Sequence, residues 1–320
     1  MELRKDYLLD RFVFIATNRS RRPKDFVNPK SNETIEEKEY NENCPFCRGN
    51  EGMTPPEIGR INGNDGWELR WFENKFPITK EDGEADINTD DNFFAYSNAF
   101  GIHEVVVEMP KHNMQLWDSD IWRVSNLLRV FMSESRRVYQ NDKIRYVLPF
   151  KNHGKEAGTS LAHSHSQIIG MNHIPKEIYE KTIKSNRYGS CEYCRIISIE
   201  RNSARRIIET GNFVSFTPYA SINNYEALIF PKKHVRFLEE IEQNFDELSE
   251  HILFILKKLK LLNSPYNIEL IQSPKNLNLH LHIEIHPRLS IWGGVELSGS
   301  YVNVVAPEDA ALFYRGGSID

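Results

Sequence analysis

Four cysteines and a set of histidines hold most of the chemistry that can be read in this chain. Cys44-Pro-Phe-Cys47 and Cys191-Glu-Tyr-Cys194 are short pairs, each followed far downstream by a His-x-His unit, His163-Ser-His165 and His280-Leu-His282. The interval from Cys44 to Cys191 is 147 positions, as is that from Cys47 to Cys194; His163 to His280 and His165 to His282 are both 117. Zinc takes four thiolate or imidazole ligands in a tetrahedron. A Cys-x-x-Cys pair supplies two from one tight turn, and two distant histidines complete the set. The spacing predicts one site from Cys44, Cys47, His112 and His163, and a second from Cys191, Cys194, His234 and His280. Two Zn2+ per chain are expected, with iron as the alternative metal. A thioredoxin-like redox pair would open a helix after a strand, whereas Cys44 follows the polar stretch 31–43. Some of these histidines could also serve only local hydrogen bonds.

The string His163-Ser-His165-Ser-Gln167 adds a reactive group. Alternate side chains of a strand share a face, so His163, His165 and Gln167 point one way. With His163 tied to metal, His165 is a fixed imidazole whose lone pair can attack phosphorus near neutral pH. Attack on an anionic phosphate needs flanking donors. Gln167, Lys151-Asn152-His-Gly154 and Gly158-Thr-Ser160 are the nearest candidates. His103 is read either as a support for this site or as a buried hydrogen-bonding residue. The second copy has Glu284 where the first has Gln167; a carboxylate would repel phosphate unless protonated or paired. The second half is therefore read as mainly structural, with His282 packing or hydrogen bonding.

Elements able to position these groups recur in one order. Apolar alternation from Gly101 to Met109 predicts a strand ending at Pro110-Lys-His112, then a capped helix through Leu127, Leu128, Phe131 and Val138. Strands over 144–150 and 161–171 follow. Strand 226–230 ending at Pro231-Lys-Lys-His234, a helix over 245–262 and strands 267–272 and 280–286 repeat the pattern. The repeat predicts two units, 1–175 and 176–320, divided in the polar stretch 176–191.

Hydrophobic content of 40% with 27% charged residues fits a folded globular protein. A net charge of −5 argues against a nucleic-acid partner, which favours a broad positive field. Arg19, Arg21, Arg22 and Lys24 form a local basic segment, read as a solvated turn or as the wall of a pocket for a small phosphorylated ligand. The charged start and the lack of a long apolar run predict no signal peptide, no membrane partner and a cytoplasmic location.

At these residues the chain resembles the galactose-1-phosphate uridylyltransferase family of the histidine-triad superfamily. The likeness runs through Glu2-Leu-Arg-Lys-Asp6, Arg19-Ser-Arg-Arg-Pro23, Cys44-Pro-Phe-Cys47, Asn74-Lys-Phe-Pro77, Gly101-Ile-His-Glu104, Lys151-Asn152, the His-x-His-x-Gln core and Gly293-Gly-Val-Glu-Leu297. The resemblance implies an α+β fold of two histidine-triad-like halves from an internal duplication, with antiparallel sheets, flanking helices and a homodimer. It also implies ping-pong transfer through a nucleotidyl-histidine on His165, steadied by Gln167. Asn152 and Ser160 would contact nucleotide phosphates, Arg19 and Arg22 the sugar phosphate, Asn74 the ribose and Glu296 the hexose hydroxyls. UDP-glucose with galactose 1-phosphate is the family default. Ser164, where many members carry proline, and the retained second Cys-x-x-Cys are closer to the ADP-glucose phosphorylase branch, with ADP-glucose and phosphate as the small-molecule substrates. Tyr301-Val-Asn303 stands where some members carry a sugar-binding glutamine. The competing functions are a non-catalytic zinc-knuckle binding protein and a nucleotide hydrolase of the same superfamily.

Overall fold

The computed structural model describes residues 1–21 and 38–317. The first half contributes strands β1 (Glu2–Lys5), β2 (Phe12–Ile15), β3 (Glu57–Gly63), β4 (Gly66–Glu73), β5 (Asn88–Asp90), β6 (Phe94–Tyr96) and β7 (Gly101–Val107). Helix α1 (Ile121–Val138) and strands β8 (Tyr146–His153) and β9 (His165–Met171) complete it. The second half contributes helices α2 (Lys176–Ser185) and α3 (Glu192–Glu200), strands β10 (Arg206–Glu209), β11 (Phe213–Phe216) and β12 (Ala227–Pro231), and helix α4 (Phe245–Leu261). It ends with β13 (Tyr266–Ile271), β14 (His282–Pro287), α5 (Gly294–Leu297), β15 (Ser300–Asn303) and α6 (Pro307–Tyr314).

Ten strands form one antiparallel sheet in the order β10-β11-β12-β14-β13-β8-β9-β7-β4-β3. The order is a palindrome: each half supplies five strands, and β8 and β13 meet at the centre. Lys151 and Ile268 are register partners across that seam, and they are 117 positions apart, the interval that separates the two His-x-His units. A pseudo-two-fold axis therefore passes between them. The duplication yields one continuous sheet rather than two separate ones.

Side-chain alternation sorts the two faces. On one face Val106, Ile168, Ile229 and Ile283 pack under α1 and α4, with Leu127, Leu128 and Phe131 against Ile252, Leu256 and Leu259. The helices are tied by the Ser125 hydroxyl, which donates to Asp246 at 2.5 Å. Asp120 starts α1 by accepting the Arg123 N–H at 2.9 Å, a cap that contributes about 1 kcal/mol. On the opposite face α2 and α3 cover the second half, with Ile178, Tyr193, Ile196 and Ile197 against Val214, Phe216, Phe230 and Ile271. In the first half Ile169 and Met171 reach under the same helices, while farther along the sheet the Cys44–Cys47 turn packs there, with Phe46 against Phe72, Val105 and Val107. That uneven cover leaves the first half open.

Two expectations change. The stretch 176–191, read as a polar divide, contains α2: Ile178, Lys181, Thr182 and Ser185 recur at helical spacing and are buried. The strand expected from Leu161 begins at His165, because the segment before it turns away to the metal cluster. Gly101 admits the close approach of β7 to β9, since a Cβ there would lie 1.9 Å from the Gly170 carbonyl oxygen.

Candidate active site and metal centres

The Cys44–Cys47 turn is closed by the Cys47 N–H donating to Cys44 O at 3.2 Å. It presents both sulfurs to His163 Nδ1 at 3.6 Å, with Cys47 Sγ 3.5 Å from His112 Nδ1. Tetrahedral zinc, with bonds of about 2.3 Å to sulfur and about 2.0 Å to nitrogen, separates neighbouring ligand atoms by about 3.6 Å. The four residues therefore fit a metal as they stand. His163 Nε2 donates to Met109 O at 2.7 Å, which leaves Nδ1 as the ligating nitrogen. The second set converges likewise. Cys194 Sγ lies 3.6 Å from His234 Nδ1 and from His280 Nδ1, and Cys191 Sγ is 4.0 Å from His280 Nδ1. His280 Nε2 donates to Pro231 O at 3.0 Å. In each set all four candidate ligand atoms lie within 4.8 Å of one another, so both Cys2His2 clusters predicted from the spacing can hold a metal.

His165 stands two residues beyond a ligand. Its Nδ1 donates to the His163 carbonyl at 2.9 Å, so the proton is fixed on that nitrogen and Nε2 keeps its lone pair. Burial depresses the basicity of the ring, which favours the neutral nucleophilic form. Phe46 packs against it with centroids 5.2 Å apart. Beneath the strand, Lys151 Nζ donates to Glu108 at 2.6 Å, to the Ser164 hydroxyl at 3.0 Å and to His165 O at 3.1 Å. Ser164 donates to Glu108 at 2.6 Å, and Ser166 donates to its other carboxylate oxygen. The carboxylate is fully buried; desolvation opposes its charge, but Lys151 and the two hydroxyls hold its pKa below the usual value.

Two cavities meet at His165. One, of about 530 Å³, has mixed walls that include Asn152, His153, Lys155, Thr159 and Ser160 beside Trp117 and Leu161. The other, of about 160 Å³, is largely apolar, with Phe46, Met53, Phe72 and Phe76 beside Asn74, Ser160 and Gln167. Asn152 Oδ1 accepts from Asn267 Nδ2 at 2.7 Å, which turns its amide nitrogen to the larger cavity. Gln167 Oε1 accepts from His103 Nε2 at 2.8 Å and from Asn74 Nδ2 at 3.5 Å. The structure thus gathers Asn74, Asn152, Ser160, His163, His165 and Gln167. Arg19 is exposed in the Thr17–Arg21 turn and Arg22 lies outside the described residues. Glu296 is engaged in α5, accepting the Gly293 N–H at 2.8 Å. Neither Arg19 nor Glu296 lines the two cavities.

The second half repeats the geometry and blocks it. His282 Nδ1 donates to His280 O at 2.8 Å, but its Nε2 is bound to Glu284 at 3.0 Å. Lys181 of α2 pairs with that carboxylate at 2.7 Å, and Phe230 stacks on the ring at 4.7 Å. Glu284 is charged and paired, and His282 has no free nitrogen. Glu108 was missed by sequence reasoning. The available signal was a lone carboxylate closing the run Val105-Val106-Val107.

A His-x-His strand beside a cluster able to hold a metal, in one half of a duplicated α+β sheet, together with the relatives that match it, places the chain in a nucleotidyltransferase class of protein. More narrowly, the chain belongs to the galactose-1-phosphate uridylyltransferase family: the model for "galactose-1-phosphate uridyl transferase, N-terminal domain" matches residues 1–175. The chain is 32% identical to ADP-glucose phosphorylase of Arabidopsis thaliana over 99% of its length and 93% of the relative. It is 28% identical to galactose-1-phosphate uridylyltransferase of Thermotoga maritima, covering 100% of this chain and 99% of that one. The crystal structure of the Arabidopsis thaliana ADP-glucose phosphorylase with bound ADP-glucose superposes with a TM-score of 0.83 at 31% identity, over 99% of each chain.

Proposed function

We propose that the chain transfers a nucleotidyl group from a nucleoside diphosphate hexose through a covalent adduct on His165. The observation that carries this reading is the His165 ring, whose Nδ1 is committed to the His163 carbonyl while Nε2 is left for a ligand where two cavities meet. His165 Nε2 attacks the α-phosphorus, an N–P bond forms, and the P–O bond to hexose 1-phosphate breaks with its electron pair leaving on the sugar phosphate. The ring is then cationic, and the Nδ1–H to carbonyl bond stabilises that charge. An oxygen of the acceptor phosphate next attacks phosphorus and releases the nitrogen. Asn152 and Ser160 serve as donors to the phosphates, Gln167 to the transferred phosphoryl group, and Asn74 with the aromatic cavity holds the nucleoside. Zinc held by Cys44, Cys47, His112 and His163 anchors the strand that carries His165.

For the nucleotide we favour adenylyl, with inorganic phosphate as acceptor, on the His163-Ser-His165-Ser-Gln167 string and the similarity to ADP-glucose phosphorylase. Uridylyl transfer between UDP-glucose and galactose 1-phosphate is the second reading, on the family model and the Thermotoga maritima relative. Incubation with each nucleotide sugar in turn should add one nucleoside monophosphate to the protein mass with the true donor. His165→Ala should take no label yet keep both metals. Labelling of neither form by either donor sinks the mechanism.

Residues 1–175 then act as the catalytic half and 176–320 as its support. We also propose a homodimer. Leu3, Phe12 and Phe14 expose a row of apolar side chains on β1 and β2, at 56%, 44% and 43% exposure, and a patch of this kind favours a partner surface. Light scattering should report about twice the 37.4 kDa chain mass, and a monomeric value removes this assignment.

A further inference from the structure

We infer that His103 is the residue that sets which end of the Gln167 amide faces the reacting phosphoryl group; the inference rests on the nucleotidyl-transfer reading above. A glutamine amide is ambivalent, with a donor and an acceptor on one sp² carbon. Only the donor end favours a phosphoryl oxygen. Turned over, the same side chain presents a carbonyl to an anion and opposes the reaction. The strand fixes where Gln167 stands, and something else must fix its rotation.

The tautomer of His103 settles the direction. The Ile78 backbone N–H donates to His103 Nδ1 at 3.0 Å, so that nitrogen is the acceptor and the ring proton lies on Nε2. This Nε2–H points at Gln167 Oε1, 2.8 Å away. Asn74 is oriented the same way: its Oδ1 accepts the Phe76 N–H at 2.9 Å, which turns its Nδ2 to the same corner, 3.3 Å from His103 Nε2 and 3.5 Å from Gln167 Oε1. With the ring proton on Nε2, the amide N–H has only Gln167 Oε1 as acceptor there. The Asn74 N–H also donates to His103 O at 2.8 Å. Segment 74–78 is thus clasped around His103, and two backbone N–H groups dictate two side-chain donors. Both converge on Oε1 of Gln167, so its Nε2 must face the other way. That nitrogen has no partner among the described residues, and Gln167 lines the cavity that also holds His165.

Burial supports the assignment. His103 is 5% exposed, and desolvation lowers its pKa, so the ring stays neutral with a single proton and a single polarity. His103 touches no cavity wall at His165; it acts through Gln167 and is a positioning residue.

The test uses two variants of similar shape and different polarity, His103→Gln, which can donate, and His103→Met, which cannot. His103→Met should lower kcat by about a hundredfold, the scale of losing one oriented donor to the reacting group, with KM for the nucleotide sugar within about threefold. His103→Gln should recover most of that loss, and both variants should keep wild-type metal content and melting temperatures close to each other. Wild-type kcat in His103→Met, or an equal fall in both variants, overturns the role of His103 while wild-type adduct formation leaves the mechanism standing. Failure of the wild type itself to form an adduct overturns both.

Discussion

At the scale of single residues, the site depends on charges arranged where no solvent reaches. Lys151 and Glu108 form a buried pair 2.6 Å apart, and Ser164 and Ser166 complete the shell of the carboxylate. Glu108→Gln would leave the Lys151 ammonium buried without its counter-charge, a loss of about 3–5 kcal/mol. The melting temperature should fall well below wild type, and residual folded enzyme should turn over more slowly because Lys151 also holds His165 O. An unchanged melting temperature would mean the pair contributes nothing. The two Cys2His2 clusters, and with the first the position of His165 beside it, were legible in the sequence because soft thiolate and imidazole donors at repeated intervals are what a tetrahedral metal site demands and what a packed core does not. Glu108 was not, and His103 was singled out without its partner, since each is defined by a group more than forty positions away, Lys151 in one case and Gln167 in the other. Ser164, read as a departure from proline, has a physical role: a proline could not donate to Glu108.

At the scale of elements, the two metal clusters hold different structures. Cys44 and Cys47 sit in a turn packed against the strand that carries His165, whereas Cys191 and Cys194 lie at the start of α3. Structural zinc contributes on the order of 10 kcal/mol to folding, so Cys44→Ser and Cys191→Ser should each lose one metal equivalent and stability. Only Cys44→Ser should lower kcat in the protein that remains folded, as read by metal analysis alongside turnover per folded molecule. Equal losses of kcat in both variants would contradict the division of labour. Three strands and the long helix of each half were readable from periodicity, whereas the outer strands β3, β4, β10 and β11 of the large sheet were not. Helix α2 was not, because the side chains it buries include Lys181, Thr182 and Ser185. Those polar groups answer to Glu284 and the helix backbone, which no local pattern reveals. The small sheet β1-β2-β15 also escaped, since it joins the two ends of the chain.

At the scale of the whole molecule, the closed second half stores charge. Burial opposes protonation of His286, but Glu284 at 3.3 Å and the nearby Glu226 raise its pKa from 6.5 to about 9. A histidine whose folded pKa is raised stabilises the native state fully below about 6.5 and loses that contribution as pH climbs through about 9. Stability should therefore drop between pH 7 and pH 9.5, by at most about 3 kcal/mol. In His286→Asn that part of the pH dependence should vanish, and denaturant titrations at the two pH values would reveal its persistence if Glu284 acts otherwise.

The central seam has a final consequence. Because β8 and β13 join the halves by backbone hydrogen bonds, neither half ends in a finished surface: cut apart, each would bare a full strand edge, and such edges recruit any available strand. In a pairing of two catalytic halves that kept this register about the pseudo-two-fold axis, Lys151 would have to take the place of Ile268 opposite another Lys151. The apolar partner on the second half thus spares two buried ammonium groups from facing each other, so the departure from symmetry at Ile268 is also what lets Lys151 stand at the seam.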